Sequence, residues 1–261
     1  MDRSNIEKIT QDPQQRMLLA KIWDKIQSGM RKNIPANSTF LTPAEQQICQ
    51  YLFGDGEGLH WFGGYDSAER KMLVFLPEYL DSAYLQTEDS PIACLRTEYY
   101  EADDPSHRDF LGSLMGLGIA RETVGDICIS NGSCDLFVVR DIAPFLLQHL
   151  TSAGRTKLRT SQIELLEAKI PEPEIKIIKD TLASMRLDGI VSAGFRISRG
   201  LAAQYIAAGK AAVDGLPCEK SDKAVSEGAK ISVRGLGKIL LAQVNGQTKK
   251  GRISVVIHRY V

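Results

Sequence analysis

The chain has 261 residues, 43% of them hydrophobic and 25% charged. That is the balance of an ordinary globular protein and excludes disordered and low-complexity classes. No apolar run approaches the roughly 20 residues of a membrane span, and the polar, acid-containing start does not read as a secretory signal. A formal charge of zero hides an asymmetry: residues 184–261 hold 13 Lys+Arg against 5 Asp+Glu, and residues 1–183 hold 19 against 27. A basic last third on an acidic body predicts a polyanion-binding module attached to a larger protein.

Residues 1–57 read as an N-terminal helical segment. Met17, Leu18, Ala20, Lys21, Ile22 and Ile26 give a mostly apolar stripe through 14–32, and Thr42-Pro43-Ala44-Glu45 carries the grammar of a capping box that opens a second helix ending near Gly54. Residues 58–170 read as a middle domain. Short apolar strands at 60–65 and 71–76 are followed by strand 92–100, helix 106–117, strands 126–130 and 133–138, helix 142–150 and strand 157–165. The Asn131-Gly132 turn favours a tight hairpin through left-handed dihedrals. The order βαββαβ is that of ferredoxin-like and RNA-recognition-motif folds. Pro171 and Pro173 then interrupt the chain, and 175–183 fits a strand or a helix equally.

Residues 184–261 carry the clearest local signals. Leu187, Ile190 and Val191 predict a short helix with Gly194 as its left-handed cap. Ser198 predicts the N-cap of a second helix with Leu201, Ala202, Tyr205 and Ile206 inside and Gly209 at its end. Strands are expected at 211–213, 230–233, 239–244 and 253–257, so the fold class is α+β. The candidate RNA contacts are Arg186, Arg196, Ser198, Arg199, Lys210, Arg234, Lys238, Lys249, Lys250 and Arg252. They cluster at helix ends and glycine turns, where backbone N–H groups and cations suit phosphates rather than base edges.

Several of these segments resemble the S-four (αL-type) RNA-binding domain: 184–188, 193–195, Ser198-Arg199, 206–210 and 227–235. The likeness extends through Thr248-Lys249-Lys250-Gly251-Arg252 into a C-terminal strand extension. Phe62-Gly63-Gly64-Tyr65, Glu69-Arg70-Lys71 and the run 116–127 resemble the bacterial YlmH family. That resemblance marks Gly63, Gly64, Tyr65, Arg70, Arg121 and Glu122 in the middle domain, where a hairpin turn and a helix exit held by a local ion pair would explain them equally. It implies a non-catalytic factor of ribosome-associated quality control; a monomer is expected, in the cytoplasm, where scattered and odd-numbered cysteines fit a reducing compartment. Such a factor binds large ribosomal subunits obstructed by peptidyl-tRNA, with large-subunit rRNA as the expected contact and peptidyl-tRNA as an open one, supports C-terminal alanine tailing of stalled chains, and is linked to cell division. Two positions depart from the family pattern: Asp214 stands where Asn is usual, and Ala229 where Asp is usual.

Two other readings compete. Arg186-Leu187-Asp188 matches the core around the nucleophile of pseudouridine synthases, but it lies inside the module's own first helix, where a carboxylate favoured by the helix dipole is the better account. A general RNA-binding or protein-interaction adaptor is the other reading, since the middle domain is acidic and its strand aromatics are few (Tyr99, Tyr100, Phe137). No cofactor and no metal are expected. Glu101, Asp103, Asp104 and His107 read as a solvated loop. The five cysteines (Cys49, Cys94, Cys128, Cys134 and Cys218) lack a disulfide-scaffold spacing, and Cys128 and Cys134 lack a zinc spacing.

Overall fold

Helix-start signals near the beginning of the chain are realised in the computed structural model, which describes residues 5–248 and 251–260. After α1 (Ile6–Ile9), Asp12 accepts the Gln14 N–H at 2.9 Å and opens α2 (Pro13–Lys32). Beyond β1 (Ala36–Asn37), Thr42 and Glu45 form the capping box of α3 (Pro43–Phe53). The buried stripe of α2 is Leu19, Ile22, Trp23 and Ile26, spaced i, i+3, i+4, i+7. Met17, expected in that stripe, is 58% exposed.

The chain divides into two units, Met1–Pro171 and Glu172–Val261. In the first, α2 and α3 pack on Leu73 and Phe75. These belong to an antiparallel sheet of β1, β2 (Leu59–Phe62) and β3 (Met72–Phe75), in the order β1-β3-β2. The expected hairpin therefore exists, but it sits beneath the N-terminal helices and not in the middle sheet. Central strand β3 is apolar throughout because its alternate side chains face two different buried layers.

The second sheet holds β4 (Ile92–Glu98), β5 (Val124–Ser130), β6 (Ser133–Val139) and β9 (Arg159–Ile163). Helix α4 (His107–Gly116) lies between β4 and β5 in sequence. Helix α5 (Ala143–His149) and a small β7 (Ser152–Ala153)–β8 (Thr156–Lys157) pair precede β9. The strand order β5-β6-β4-β9, with antiparallel neighbours throughout, is that of the split βαβ arrangement. At its hairpin only Gly132 is left-handed (φ 69°), so one turn residue, not both, uses that region.

One face of this sheet packs Leu95, Leu136 and Val138 against Phe110 and Leu114 of α4 and Leu146 of α5. The opposite face packs Ile92, Cys94, Cys128 and Phe137 against Phe40, Phe62, Met72 and Val74. The first unit is thus layered helix, sheet, sheet, helix.

The second unit contains β10 (Ile175–Leu182), α6 (Leu187–Phe195), α7 (Arg199–Ala207), β11 (Ala211–Val213), β12 (Leu216–Pro217), β13 (Lys230–Val233), β14 (Gly237–Gln247) and β15 (Ile253–Tyr260). Its antiparallel sheet runs β10-β15-β14-β13-β11-β12. The ambiguous segment 175–183 becomes edge strand β10, paired with β15 from Ile175↔Tyr260 to Leu182↔Ile253. Helix α6 buries Leu187, Ile190, Val191 and Phe195 in the core that also holds Ile239, Leu241, Val255 and Ile257. Gly194 lies inside α6 and is not its cap: a Cβ there would come within 2.6 Å of Ile239 Cδ1. The left-handed cap is Arg196 (φ 56°). On α7, Ala202 and Ile206 face inward, whereas Leu201, expected inside, is 40% exposed.

The two departures from the family pattern have local explanations. Asp214 and Gly215 form a two-residue turn with both φ positive (51° and 83°), and Asp214 Oδ1 accepts the Lys230 N–H at 2.8 Å. An aspartate fills this left-handed, acceptor role as well as an asparagine does. Ala229 is buried, so a carboxylate there would lose its hydration.

Candidate nucleic-acid interface

The basic module is organised around an acid. Asp188, in the first turn of α6, is buried (5% exposed) and accepts hydrogen bonds from Arg186 Nη2 at 3.2 Å, Arg199 Nη2 at 3.0 Å and the Gly189 N–H at 2.7 Å. Burial pushes its carboxyl pKa up, but the hydrogen bonds from Arg199 and Arg186 outweigh this and hold it below the usual carboxylate range. Asp188 in turn raises the pKa of Arg199. Both guanidiniums remain solvent-accessible, with side chains 43% and 53% exposed. A guanidinium has five donors, so each can engage Asp188 and still present N–H groups outward. The predicted first-turn carboxylate is therefore also the anchor of two predicted RNA contacts.

The remaining predicted contacts fall into two groups. At one end of α7, Arg196 sits on the left-handed cap of α6. Ser198 Oγ accepts the Leu201 N–H at 3.2 Å as an N-cap. Arg252 Nε donates to Thr181 Oγ1 at 3.0 Å, and its Nη2 donates to the Thr181 carbonyl. Arg196, Arg199 and Arg252 line one cleft of about 380 Å³ beside β10.

At the other end of α7, Lys210 Nζ lies 5.1 Å from the Tyr205 ring centroid, and the Arg234 N–H donates to the Lys210 carbonyl at 2.9 Å. Lys238 follows on β14, opposite Ser232. From Arg199 to Ala207 the helix advances about 12 Å at 1.5 Å per residue, and Lys210 follows just beyond its end. The two groups are therefore separated by the length of the helix. Lys249 and Lys250 lie outside the described residues.

The six middle-domain positions meet at the seam between the two sheets of the first unit. Asp126 is the hub that sequence reasoning missed. Its carboxylate accepts from Tyr65 Oη at 2.8 Å, the Glu69 N–H at 2.7 Å and the Arg70 N–H at 3.1 Å. Arg70 donates from Nε to the Val124 carbonyl at 3.0 Å and from Nη2 to the Phe40 carbonyl at 3.1 Å. Arg121 Nη1 donates to the Val124 carbonyl at 2.5 Å, and the Glu122 carbonyl accepts the Phe40 N–H at 2.8 Å. Arg70 and Arg121 are thus held by main-chain carbonyls.

Burial, with Arg121 close by, lowers the pKa of Arg70, and burial lowers that of Arg121. Burial and the Asp126 carboxylate push the Tyr65 phenol far above its ordinary range. Gly63 has no room for a Cβ, which would lie 2.4 Å from Ala68 Cβ, and Gly64 (φ 97°) lies against the Phe137 ring.

The aromatic residues of the middle sheet do not form a stacking platform. Phe137 is fully buried, with the Tyr65 ring 5.0 Å away. Tyr99 packs on Phe110 at 6.0 Å, and of these three only Tyr100 is exposed. The sheet face opposite the helices, on which RNA-recognition folds stack bases, is covered by the β1–β3 layer.

The five cysteines are buried and unpaired, and burial pushes the Cys128 thiol up to about 11 and the Cys49 thiol up to about 12. Among the described residues no group of three or more His, Cys, Asp or Glu side chains could hold a metal ion, and no helix is long and apolar enough to cross a membrane.

Residues 88–167 match the family model described as "Putative RNA-binding domain in YlmH". Over 222 residues the chain is 34% identical to the ribosome-associated protein quality control protein P2 of Bacillus subtilis (strain 168), covering 84% of this chain and 85% of that protein. The chain belongs to the YlmH family. The stretch matched by the YlmH family model begins just before β4 and ends just after β9, so it coincides with the covered sheet and its helices. A solved structure, the cell division protein ylmH from Streptococcus pneumoniae, is similar in fold at a TM-score of 0.50 and 18% identity, over 62% of this chain and 98% of that one.

Proposed function

We propose that this YlmH-family chain is a non-catalytic RNA-binding protein that docks on the large ribosomal subunit, on rRNA and on peptidyl-tRNA, in ribosome-associated quality control. The naming of its Bacillus subtilis relative supports that setting. In this reading it supports C-terminal alanine tailing of stalled chains, acts as a cytoplasmic monomer, and shares the cell-division link in the name of the Streptococcus pneumoniae protein. Residues 184–261 act as an S-four module, and residues 58–170 as an RNA-recognition-like body that orients it.

The observation that carries the proposal is the pair of guanidiniums held by buried Asp188 and flanked by Arg196 and Arg252. Cations fixed in this way track the phosphates of a backbone and set the register of the ligand. Selectivity then comes from RNA shape and from the spacing of phosphates. Asp188 is enclosed and accepts hydrogen bonds from three residues, which suits an anchor and not a nucleophile.

The test is co-sedimentation of the protein with purified large subunits. An Arg196→Ala/Lys210→Ala/Arg234→Ala variant removes three cations without stripping Asp188 of a partner. At physiological salt it is expected to lose most subunit binding. Undiminished binding would overturn the assignment of this surface.

A further inference from the structure

We propose that the cleft beside β10 receives one unpaired nucleotide of the bound RNA, its phosphate on Arg196, Arg199 and Arg252 and its base against Asp180. This rests on the RNA-binding reading above and adds a specific ligand to it.

At about 380 Å³ the cleft falls in the range of small-molecule sites.

Arg196 comes from the end of α6, Arg199 from the first turn of α7 and Arg252 from the residue before β15, so three separate elements deliver like charges to one opening. Two of them are held in place beforehand, Arg199 by Asp188 and Arg252 by both oxygens of Thr181. Prior fixation reduces the ordering cost of binding an anion. Guanidinium planes also offer stacking surfaces for an unstacked base, a role that falls to them because no aromatic side chain among the described residues lines the cleft.

Asp180 brings a negative charge to the cleft. It lines the same cleft, and its Oδ1 accepts the Thr181 N–H at 2.6 Å. A carboxylate repels a phosphate and accepts hydrogen bonds from base amino and imino groups. The cleft is therefore polar in two senses, with donors for the phosphate and an acceptor for the base. Ser192, on the same lining, gives its proton to the Ile197 carbonyl at 2.7 Å, which leaves its oxygen as an acceptor for a ribose hydroxyl. A base inside an A-form duplex cannot reach such a cleft; a bulged or loop nucleotide can.

The experiment uses the full chain and two fluorescein-labelled RNA hairpins that differ only by a single bulged adenosine, with affinity read by anisotropy at fixed salt. The wild type is expected to bind the bulged hairpin about tenfold more tightly. Asp180→Ala and Arg252→Ala are each expected to bring that ratio close to one. Arg252→Lys, which keeps the charge but loses the paired donors, is expected to fall between, and Asp180→Asn guards against misfolding of the alanine variant. Replacing the bulged adenosine by an abasic nucleotide is expected to remove the preference. Equal wild-type affinity for the two hairpins, or a ratio unchanged in both alanine variants, overturns the inference while leaving RNA binding intact. Failure of the wild type to bind either hairpin overturns the RNA-binding reading itself.

Discussion

Asp188 concentrates the chemistry of the basic module in one side chain, and its titration makes that testable. Its folded-state pKa lies below the unfolded value, so the unfolded chain binds the extra proton. The stabilisation is complete above the unfolded pKa of about 3.9 and is lost as pH falls through the folded value. Asp188→Asn should cost about 1–3 kcal/mol at pH 7, and the gap to wild type should close in urea titrations carried below pH 4. Equal stability of the two proteins at pH 7 would count against the anchor role.

Gly64 is a second residue-scale test. At φ 97°, a Cβ would lie 2.3 Å from the Phe137 ring, so Gly64→Ala combines backbone strain with overpacking. A loss of about 2–4 kcal/mol is expected, seen as a lower Tm. An unchanged melt would mean that the ring gives way.

At the scale of elements, the turn between β2 and β3 is fastened to β5 through Asp126. Asp126→Ala should leave the Glu69 and Arg70 amides without their acceptor, and the part-buried Arg70 donor costs about 1–3 kcal/mol if unmet, whereas water can reach the exposed Glu69 amide. Hydrogen exchange at these two amides should accelerate by about tenfold or more, with β6 amides much less affected. Uniform acceleration across the sheet would indicate global destabilisation instead.

Element type is legible in the sequence wherever a local rule decides it. The Thr42–Glu45 capping box, the Ser198 N-cap and the glycine at 132 all act within a few residues. Strand β10 is not legible, because its sequence tolerates helix and strand alike and only pairing with β15 selects one. Gly194 reads falsely as a cap for a related reason: its use is close approach to Ile239 on a distant strand, which no local pattern encodes.

For the whole molecule, the charge asymmetry of the sequence sets the salt dependence of binding. If about five to eight cations neutralise phosphates, RNA affinity should drop by orders of magnitude between low and physiological salt. The Arg196/Lys210/Arg234 alanine variant should lower the log–log slope by about one for each phosphate-binding cation removed. A slope unchanged by the triple substitution would show that other cations carry the interaction. Tertiary structure also limits what the middle domain can do. Its sheet has the strand order of an RNA-recognition fold, yet its stacking face is buried under Phe40, Phe62, Met72 and Val74.

By itself the sequence determined the periodicities, the caps, the concentration of cations after residue 184 and the family blocks, because each of these is a property of neighbours along the chain. Only the tertiary structure decided that Asp188 holds Arg186 and Arg199, that Asp126 ties the Tyr65–Arg70 turn to β5, and that Asp180 and Arg252 share a cleft. Such partners are brought within hydrogen-bond range by sheet pairing and helix packing over tens of residues, and spacing along the chain says nothing about distances of that kind.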